Sequence, residues 1–165
     1  MSIGDAIRAD RVGRQLTQQA YAQHVQIDRT TLSKIENGER ELPAVYEASM
    51  ARHSWKLALE IADERTNGYF SNLLGDVPTL DLHPAALKEQ MLKEVDDLEE
   101  ALGGLSLAKH IDKQKRKESA ERVWHEIRDV MEHAAVLQGV LEEEFGLDRD
   151  ELATEHEQQV KRGER

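Results

Sequence analysis

Side chains of metal-binding type recur at one-turn spacing in the C-terminal half of the sequence. His125, Asp129 and His133 are four residues apart, which places them on one face of a helix. The segment departs from the zinc-protease pattern HExxH, because the fourth residue after His125 is Asp129 and no further ligand can be identified. A solvated polar helix face accounts for these residues, so we predict no metal site and no cofactor.

The sequence offers few other groups for catalysis. It contains no cysteine, which excludes disulfides, thiolate metal sites and cysteine nucleophiles. It also lacks a phosphate-binding glycine loop and a recognisable nucleophile motif. We therefore predict that the protein is not an enzyme and has no catalytic residues.

Charge is distributed unevenly along the chain, whose formal net charge is −11. Residues 1–68 contain nine basic and ten acidic side chains, whereas residues 69–165 contain thirteen basic and twenty-three acidic ones. An anionic partner could be bound only by a domain whose basic groups share one face. The one dense basic run lies at 109–117, where solvation or pairing with the acidic segment 84–102 explains it.

Length and composition indicate one or two small domains, since the chain has 165 residues, 33% of them charged and 4% aromatic. No run approaches the ~20 apolar residues that span a bilayer, and the first residues lack the apolar segment of a signal peptide. We therefore expect a cytoplasmic protein with no membrane contact.

The N-terminal part, residues 1–68, is predicted to form several short helices. Gly68 is expected to cap the last of them, and the segment 69–83, with Gly75 and Pro78, is expected to be a linker. The expected core positions are Ile3, Ile7, Leu16, Tyr21, Val25, Ile27, Leu32, Ile35, Leu42, Val45 and Ile61.

The C-terminal part, residues 84–165, is predicted to contain three helices. The first runs from Pro84 to about Leu102, the second from an N-cap at Asp112 to Phe145, and a polar third helix covers 148–162. Steps of three and four residues predict a heptad seam along the second helix. The expected seam comprises Ala120, Val123, Ile127, Val130, Ala134, Leu137 and Leu141, widened by Trp124, Met131 and Val140.

Helix lengths predict a homodimer through the helices of 84–145. At 1.5 Å per residue the second helix is about 50 Å long and the first only about 28 Å, so the first cannot cover the second. An antiparallel pair would cover the early seam within the chain. The apolar side chains left over for a second copy would be Leu137, Val140, Leu141 and Phe145.

The stretch from Leu16 to Gly38 carries the most specific pattern in the sequence. Thr17 and Asp28 are placed to cap two short helices, with a turn at Gln26 between them. Ala22 is small where the helices approach, and the stretch ends on the phrase Ile35-Glu36-Asn37-Gly38. It resembles the helix-turn-helix of the XRE or lambda-repressor-like family, over about the first 65 residues.

The resemblance implies an all-α fold, with a lambda-repressor-like five-helix DNA-binding domain followed by a C-terminal helical hairpin or coiled-coil-like assembly region. In such folds the second helix of the motif lies in the major groove. Arg29 would then read guanine, because its fork matches two major-groove acceptors. The residues implied to contact double-stranded DNA are Gln18, Arg29, Thr30, Thr31, Lys34, Asn37 and Arg40.

Other positions bear on the fold and affinity of this motif. In the family Arg11 pairs with Glu36, and we interpret this pair as structural. Gln26 stands where glycine is usual, and a left-handed conformation there would cost about 1 kcal/mol. Asp10 replaces a commonly apolar residue, and Asp28 brings a negative charge near phosphate.

The function implied by the resemblance is sequence-specific binding of double-stranded DNA by a transcription regulator. We expect a repressor of a bacterial or phage/mobile-element operon that binds a two-fold operator as a dimer. An antitoxin-like interaction protein is the second interpretation, in which the acidic C-terminal helices bind a partner protein and DNA binding serves autoregulation. Auxiliary DNA contact by the run 109–117 remains open.

Overall fold

The computed structural model describes residues 1–108 and 110–164, and all regular secondary structure within them is helical. This confirms the predicted all-α class. The chain forms two compact units, one ending at Leu80 and the other beginning at Asp81. The helices are α1 (Ile3–Gly13), α2 (Gln18–His24), α3 (Arg29–Glu36), α4 (Ala44–His53), α5 (Trp55–Thr66), α6 (Leu73–Asp76), α7 (Pro84–Gly103), α8 (Lys113–Phe145) and α9 (Arg149–Lys161).

The first unit is built around one apolar core shared by α1 to α5. Most of the expected core positions are buried, including Ile7, Tyr21 and Leu32, each fully enclosed. Val45 is an error of the sequence prediction, because it lies in the first turn of α4 and is 77% exposed. Met50 and Leu57 fill the core from α4 and α5 instead.

The end of α5 and the segment after it differ from expectation. The helix is capped by Asn67 in the left-handed conformation (φ 52°), one residue before the expected Gly68. Part of the expected linker is ordered against α5, because the buried Asn72 donates a 2.7 Å hydrogen bond to Glu60 and also caps α6. Leu73 of α6 is buried as well.

The helices of the second unit begin and end as the sequence predicts. Pro84 occupies the first position of α7, and the Asp112 carboxylate accepts hydrogen bonds from the first amides of α8. Gly146 ends α8 in the left-handed conformation, and Asp148 caps α9. These signals are local to the helix ends, which is why the sequence is sufficient to place them.

The buried face of α8 agrees with the expected seam only in part. Val123 of that seam and the widening residue Val140 are buried, but Val136 and Gly139 are buried in addition, and the expected seam residues Ala120 and Ile127 are exposed. The widening residues Trp124 and Met131 are exposed too. The inward face of α7 includes Glu94, which is 5% exposed, so apolarity alone does not mark the contact between the two helices.

The apolar surface expected to remain for a partner is also different. Val140 is buried within the unit, and Leu137 and Leu141 are partly buried beside a cavity of about 620 Å³ that α9 helps to line. Of the four residues expected at the dimer contact, only Phe145 is largely exposed, at 65%.

Within the described residues, no helix is long and apolar enough to cross a membrane.

Candidate nucleic-acid interface

The two helices of the motif are α2 and α3, and their caps are those predicted. The Thr17 hydroxyl accepts a hydrogen bond from the amide of Ala20 at 3.2 Å. The Asp28 carboxylate accepts one from the amide of Thr31 at 2.8 Å. The Thr31 hydroxyl and amide lower the pKa of Asp28 from its ordinary value, so this cap remains charged at neutral pH.

The turn between the two helices contains a residue in the left-handed backbone conformation that glycine usually adopts, although this residue is Gln26. Gln26 has φ 57°, in the left-handed region, while Val25 and Ile27 on either side of it are buried. Packing of these two side chains holds α2 and α3 at a fixed angle. The left-handed strain that the sequence predicted for Gln26 is therefore present and tolerated.

A buried ion pair ties α1 to α3, as expected. Arg11 donates two hydrogen bonds to Glu36, with N–O distances of 2.6 and 2.9 Å, and a third to the carbonyl of Leu16. Burial raises the pKa of Glu36, but hydrogen bonds from Arg11 and Gln18 and the charge of Arg11 outweigh it, leaving the pKa below its ordinary value. The carboxylate is thus charged and fully enclosed.

The outward face of α3 carries a continuous polar stripe. Arg29, Thr30 and Lys34 are exposed on the helix, and Asn37 and Arg40 are exposed just beyond its end. Thr31 does not share this exposed face, because it is only 9% exposed, whereas Thr30 is freely accessible. The expected contact of Thr31 with DNA stays a prediction that this burial disfavours. Position 31 turns inward because it lies one residue before the core residue Leu32 and four before Ile35.

Gln18 is held by the interior network rather than directed freely outward. Its side-chain amide donates a 2.8 Å hydrogen bond to Glu36, and the residue is half-buried. The side chain therefore positions α2 against the end of α3. Its expected contact with phosphate stays a prediction.

Arg8 is a basic residue of this surface that sequence reasoning missed. It is exposed on α1 and donates a 2.7 Å hydrogen bond to the side-chain oxygen of Asn37. Ser33 was missed too, and it lies half-exposed within the stripe of α3. Arg8 precedes Asn37 by 29 positions, so no local spacing signals that they meet.

Asp10, a departure from the family pattern, has polar partners within the fold. It accepts a 2.8 Å hydrogen bond from the hydroxyl of the buried Tyr21 and pairs with Arg14 at 3.0 Å. Burial, together with the charge of Asp10, raises the pKa of Tyr21 from its ordinary value. Burial, together with the charge of Arg14, lowers the pKa of His53 beside them.

The residues considered for metal binding do not share a ligand cluster in the described part of the chain. His133 places its Nδ1 atom 2.8 Å from the carbonyl oxygen of Asp129, in the preceding helical turn. The carboxylate oxygens of Glu94, Asp97 and Glu126 do approach within 4.8 Å of one another between α7 and α8. Gln90 and Lys93 donate hydrogen bonds to Glu94 there, so the buried carboxylate has polar partners of its own.

Comparison with known protein families gives a match in the N-terminal unit. Residues 7–44, from the middle of α1 to the first residue of α4, match the family model described as helix-turn-helix. The N-terminal domain is therefore a helix-turn-helix domain of the XRE type, the kind found in DNA-binding transcription regulators. No curated protein and no solved structure gave a significant match to the chain.

Proposed function

We propose that this protein is a sequence-specific regulator of transcription that reads double-stranded DNA with α3. The observation that carries the proposal is the polar stripe of α3, which faces solvent from a helix fixed by the buried Arg11–Glu36 pair. A helix held this rigidly presents its side chains in one register to the major groove. The opposite side of α3, with Leu32 and Ile35, is packed in the core.

The roles of the stripe follow from side-chain chemistry. Arg29, at the first position of α3, is suited to a bidentate contact with the O6 and N7 atoms of guanine. Thr30 can contact a thymine methyl group. Lys34 and Arg40 supply positive charge for phosphates, and Asn37 lies beside Arg8, which adds a further cation.

The regulator is proposed to be a repressor of a bacterial or mobile-element operon, acting as a dimer on a two-fold operator. One α3 reads only a few base pairs, and two copies held about 34 Å apart read two half-sites on one side of the duplex. A repressor needs no more than occupancy of its operator to block transcription. The near-neutral charge of residues 1–68 suits this use better than the acidic remainder does.

Selection of bound sequences from a random DNA pool by the full-length protein tests the proposal. We expect a two-fold motif with a guanine in each half-site. Arg29→Ala should weaken binding to the selected site by about 1 to 3 kcal/mol and relax one base position. Arg52→Ala removes an exposed arginine from α4 and serves as the matched control, with no change expected. Equal losses on selected and random DNA for Arg29→Ala would contradict the assignment, and recovery of no motif would contradict sequence-specific binding.

A further inference from the structure

Large apolar side chains remain exposed along one side of α7. Leu92, Val95 and Leu102 are 53%, 41% and 50% exposed. They follow one another at intervals of three and seven residues, which keeps them on one stripe of the helix. The inward face of the same helix is marked by Leu87, Glu94 and Ala101, all of them buried. The exposed stripe is therefore additional to the packed seam.

A second exposed apolar stripe lies on α8. Trp124, Ile127 and Met131 are 54%, 42% and 42% exposed and step by three and four residues. Trp124 is the largest of these side chains, and exposed tryptophans of this kind are frequent anchors of protein interfaces. Nothing in the described part of the second unit encloses these three side chains.

The two stripes lie on the same side of the α7–α8 pair. The helices are antiparallel, because Glu100 pairs with Arg122 at 2.9 Å while the earlier Glu94 meets the later Glu126. Val95 and Ile127 directly follow these inward glutamates, each about 100° further around its helix. In two right-handed antiparallel helices, the same sense of rotation from the shared seam leads to the same face. We call this surface the α7–α8 face.

The rims of the α7–α8 face carry opposite charges on the two helices. α7 contains two lysines and six acidic residues, whereas the first half of α8, residues 113–128, contains six basic and three acidic residues. Next to the apolar stripes, Asp96 and Glu99 are exposed on α7, and Lys113 and Lys117 are exposed on α8. Asp96, Glu99 and Lys113 make no ion pair within the described residues.

We propose that a second copy of this chain covers the α7–α8 face, with each α7 packed against α8 of the partner. Two-fold symmetry about an axis parallel to the helices produces this arrangement and sets the acidic rim of one copy on the basic rim of the other. The product is a four-helix bundle with Trp124 near its centre. The proposal specifies how the dimer of the proposed function is formed. It rests on that proposed function only for its biological purpose, which is the binding of a two-fold operator.

A second copy fits this face because the face carries both an acidic and a basic rim, and each rim can pair with the opposite rim of the partner. A two-fold axis perpendicular to the helices would pack each α7, with its six acidic and two basic residues, on the partner's α7, and like charges that face each other oppose association. Pairing α7 with the partner's α8 removes that repulsion and buries all six exposed apolar side chains. The contact therefore differs from the one expected at Leu137, Val140 and Leu141, which the fold already covers at least in part.

Light scattering of the full-length protein without DNA, at micromolar concentration, tests whether a second copy covers the α7–α8 face. We expect a dimer for the wild type and a folded monomer for the double variant Ile127→Asp, Met131→Asp, with unchanged helix content by circular dichroism. The control is Leu107→Asp, which places one aspartate at a 73% exposed leucine outside both helices and should remain dimeric. A monomeric wild type, or a dimeric double variant, would overturn the proposal.

Charge reversal tests the arrangement without touching the apolar stripes. Asp96→Lys with Glu99→Lys should weaken the dimer at least about tenfold, and adding Lys113→Glu with Lys117→Glu in the same chain should restore it. If α7 instead met its own equivalent, the first pair of substitutions would leave dimerisation unchanged, and that result would overturn the arrangement. A wild-type dimer that selects no DNA motif would contradict the proposed function alone. A wild-type monomer that selects single half-sites would contradict this inference and the two-fold operator, and would leave sequence-specific reading by α3 standing.

Discussion

Gln26 is strained so that the turn between α2 and α3 can form. Its φ of 57° lies in the left-handed region, where a residue with a Cβ loses about 1 kcal/mol relative to glycine. We predict that Gln26→Gly raises the free energy of unfolding by up to about 1 kcal/mol, measured by urea denaturation. The same substitution at the exposed Gln23, inside α2, should lower it by about 0.5 to 1 kcal/mol. A loss of stability for Gln26→Gly would show that its side chain has an unrecognised role.

Glu36 should make stability depend on pH in the acid range. Its pKa is held below the ordinary value of 4.5 in the folded state, so its contribution is fully present above that value. The contribution is lost as the pH falls through the folded pKa, where the carboxylate becomes protonated and its pairing with Arg11 weakens. Glu36→Gln should show a shallower acid loss in thermal unfolding across pH 7 to 3.

The same variant also has a predicted cost at neutral pH. Glu36→Gln leaves Arg11 without its charged partner and should destabilise the fold by on the order of 3 kcal/mol. Glu39→Gln, an exposed glutamate just past the end of α3, is the control and should change neither quantity. An acid loss as steep in Glu36→Gln as in the wild type would contradict this assignment of the pH dependence.

Some individual residues could be predicted from the sequence, and others could not. The caps Thr17 and Asp28 act on amides three residues away, and the Arg11–Glu36 pair follows from the family pattern. Thr31 was expected on the exposed face of α3, and Arg8 was not recognised as part of that surface. Both have the same cause. The orientation of a side chain around α3, and its meeting with a residue 29 positions away, depend on how the helices pack rather than on local spacing.

Helix α1 approaches α3 so closely that one position accepts only glycine. A Cβ atom added at Gly4 would lie 2.3 Å from the carbonyl oxygen of Ile35, a backbone atom that cannot turn aside. We predict that Gly4→Ala destabilises the domain by about 1 to 3 kcal/mol, although alanine is the better helix former. Gly13→Ala, in the same helix with open space around it, should be neutral or stabilising in the same denaturation experiment. Equal effects of the two substitutions would contradict the close approach.

For the helices, the sequence predicts where each one begins and ends better than it predicts which side of each one is buried. The bounds of α7, α8 and α9 follow from Pro84, Asp112, Gly146 and Asp148, each of which satisfies or terminates backbone hydrogen bonds. The expected seam of α8 was only partly right because apolar residues surround more than half of that helix. Which of them face α7 depends on the partner helix, whose inward face includes the buried Glu94.

For the whole molecule, the number of cations near the DNA sets the response to salt. Arg8, Arg29, Lys34 and Arg40 are exposed on or beside the polar stripe. If each neutralises one phosphate, log affinity should fall with log salt with a slope of about −3.6 per subunit, and Arg8→Gln should reduce it by about 0.9. Lys115→Gln, in the basic run at the start of α8, is the control and should leave the slope unchanged. A drop in slope for Lys115→Gln would show that this run contacts DNA.

Helix α9 has no buried residue. It contacts α8 through the Arg149–Glu142 ion pair, and the two helices line a partly open cavity. A helix of thirteen residues with so little apolar burial is close to the limit at which it stays folded in water. Its opening therefore costs little free energy compared with that of α3, which is anchored by Leu32, Ile35 and Glu36. The amide protons of α9 should exchange with solvent long before those of α3, so α9 and the reading helix belong to different cooperative units of the same molecule.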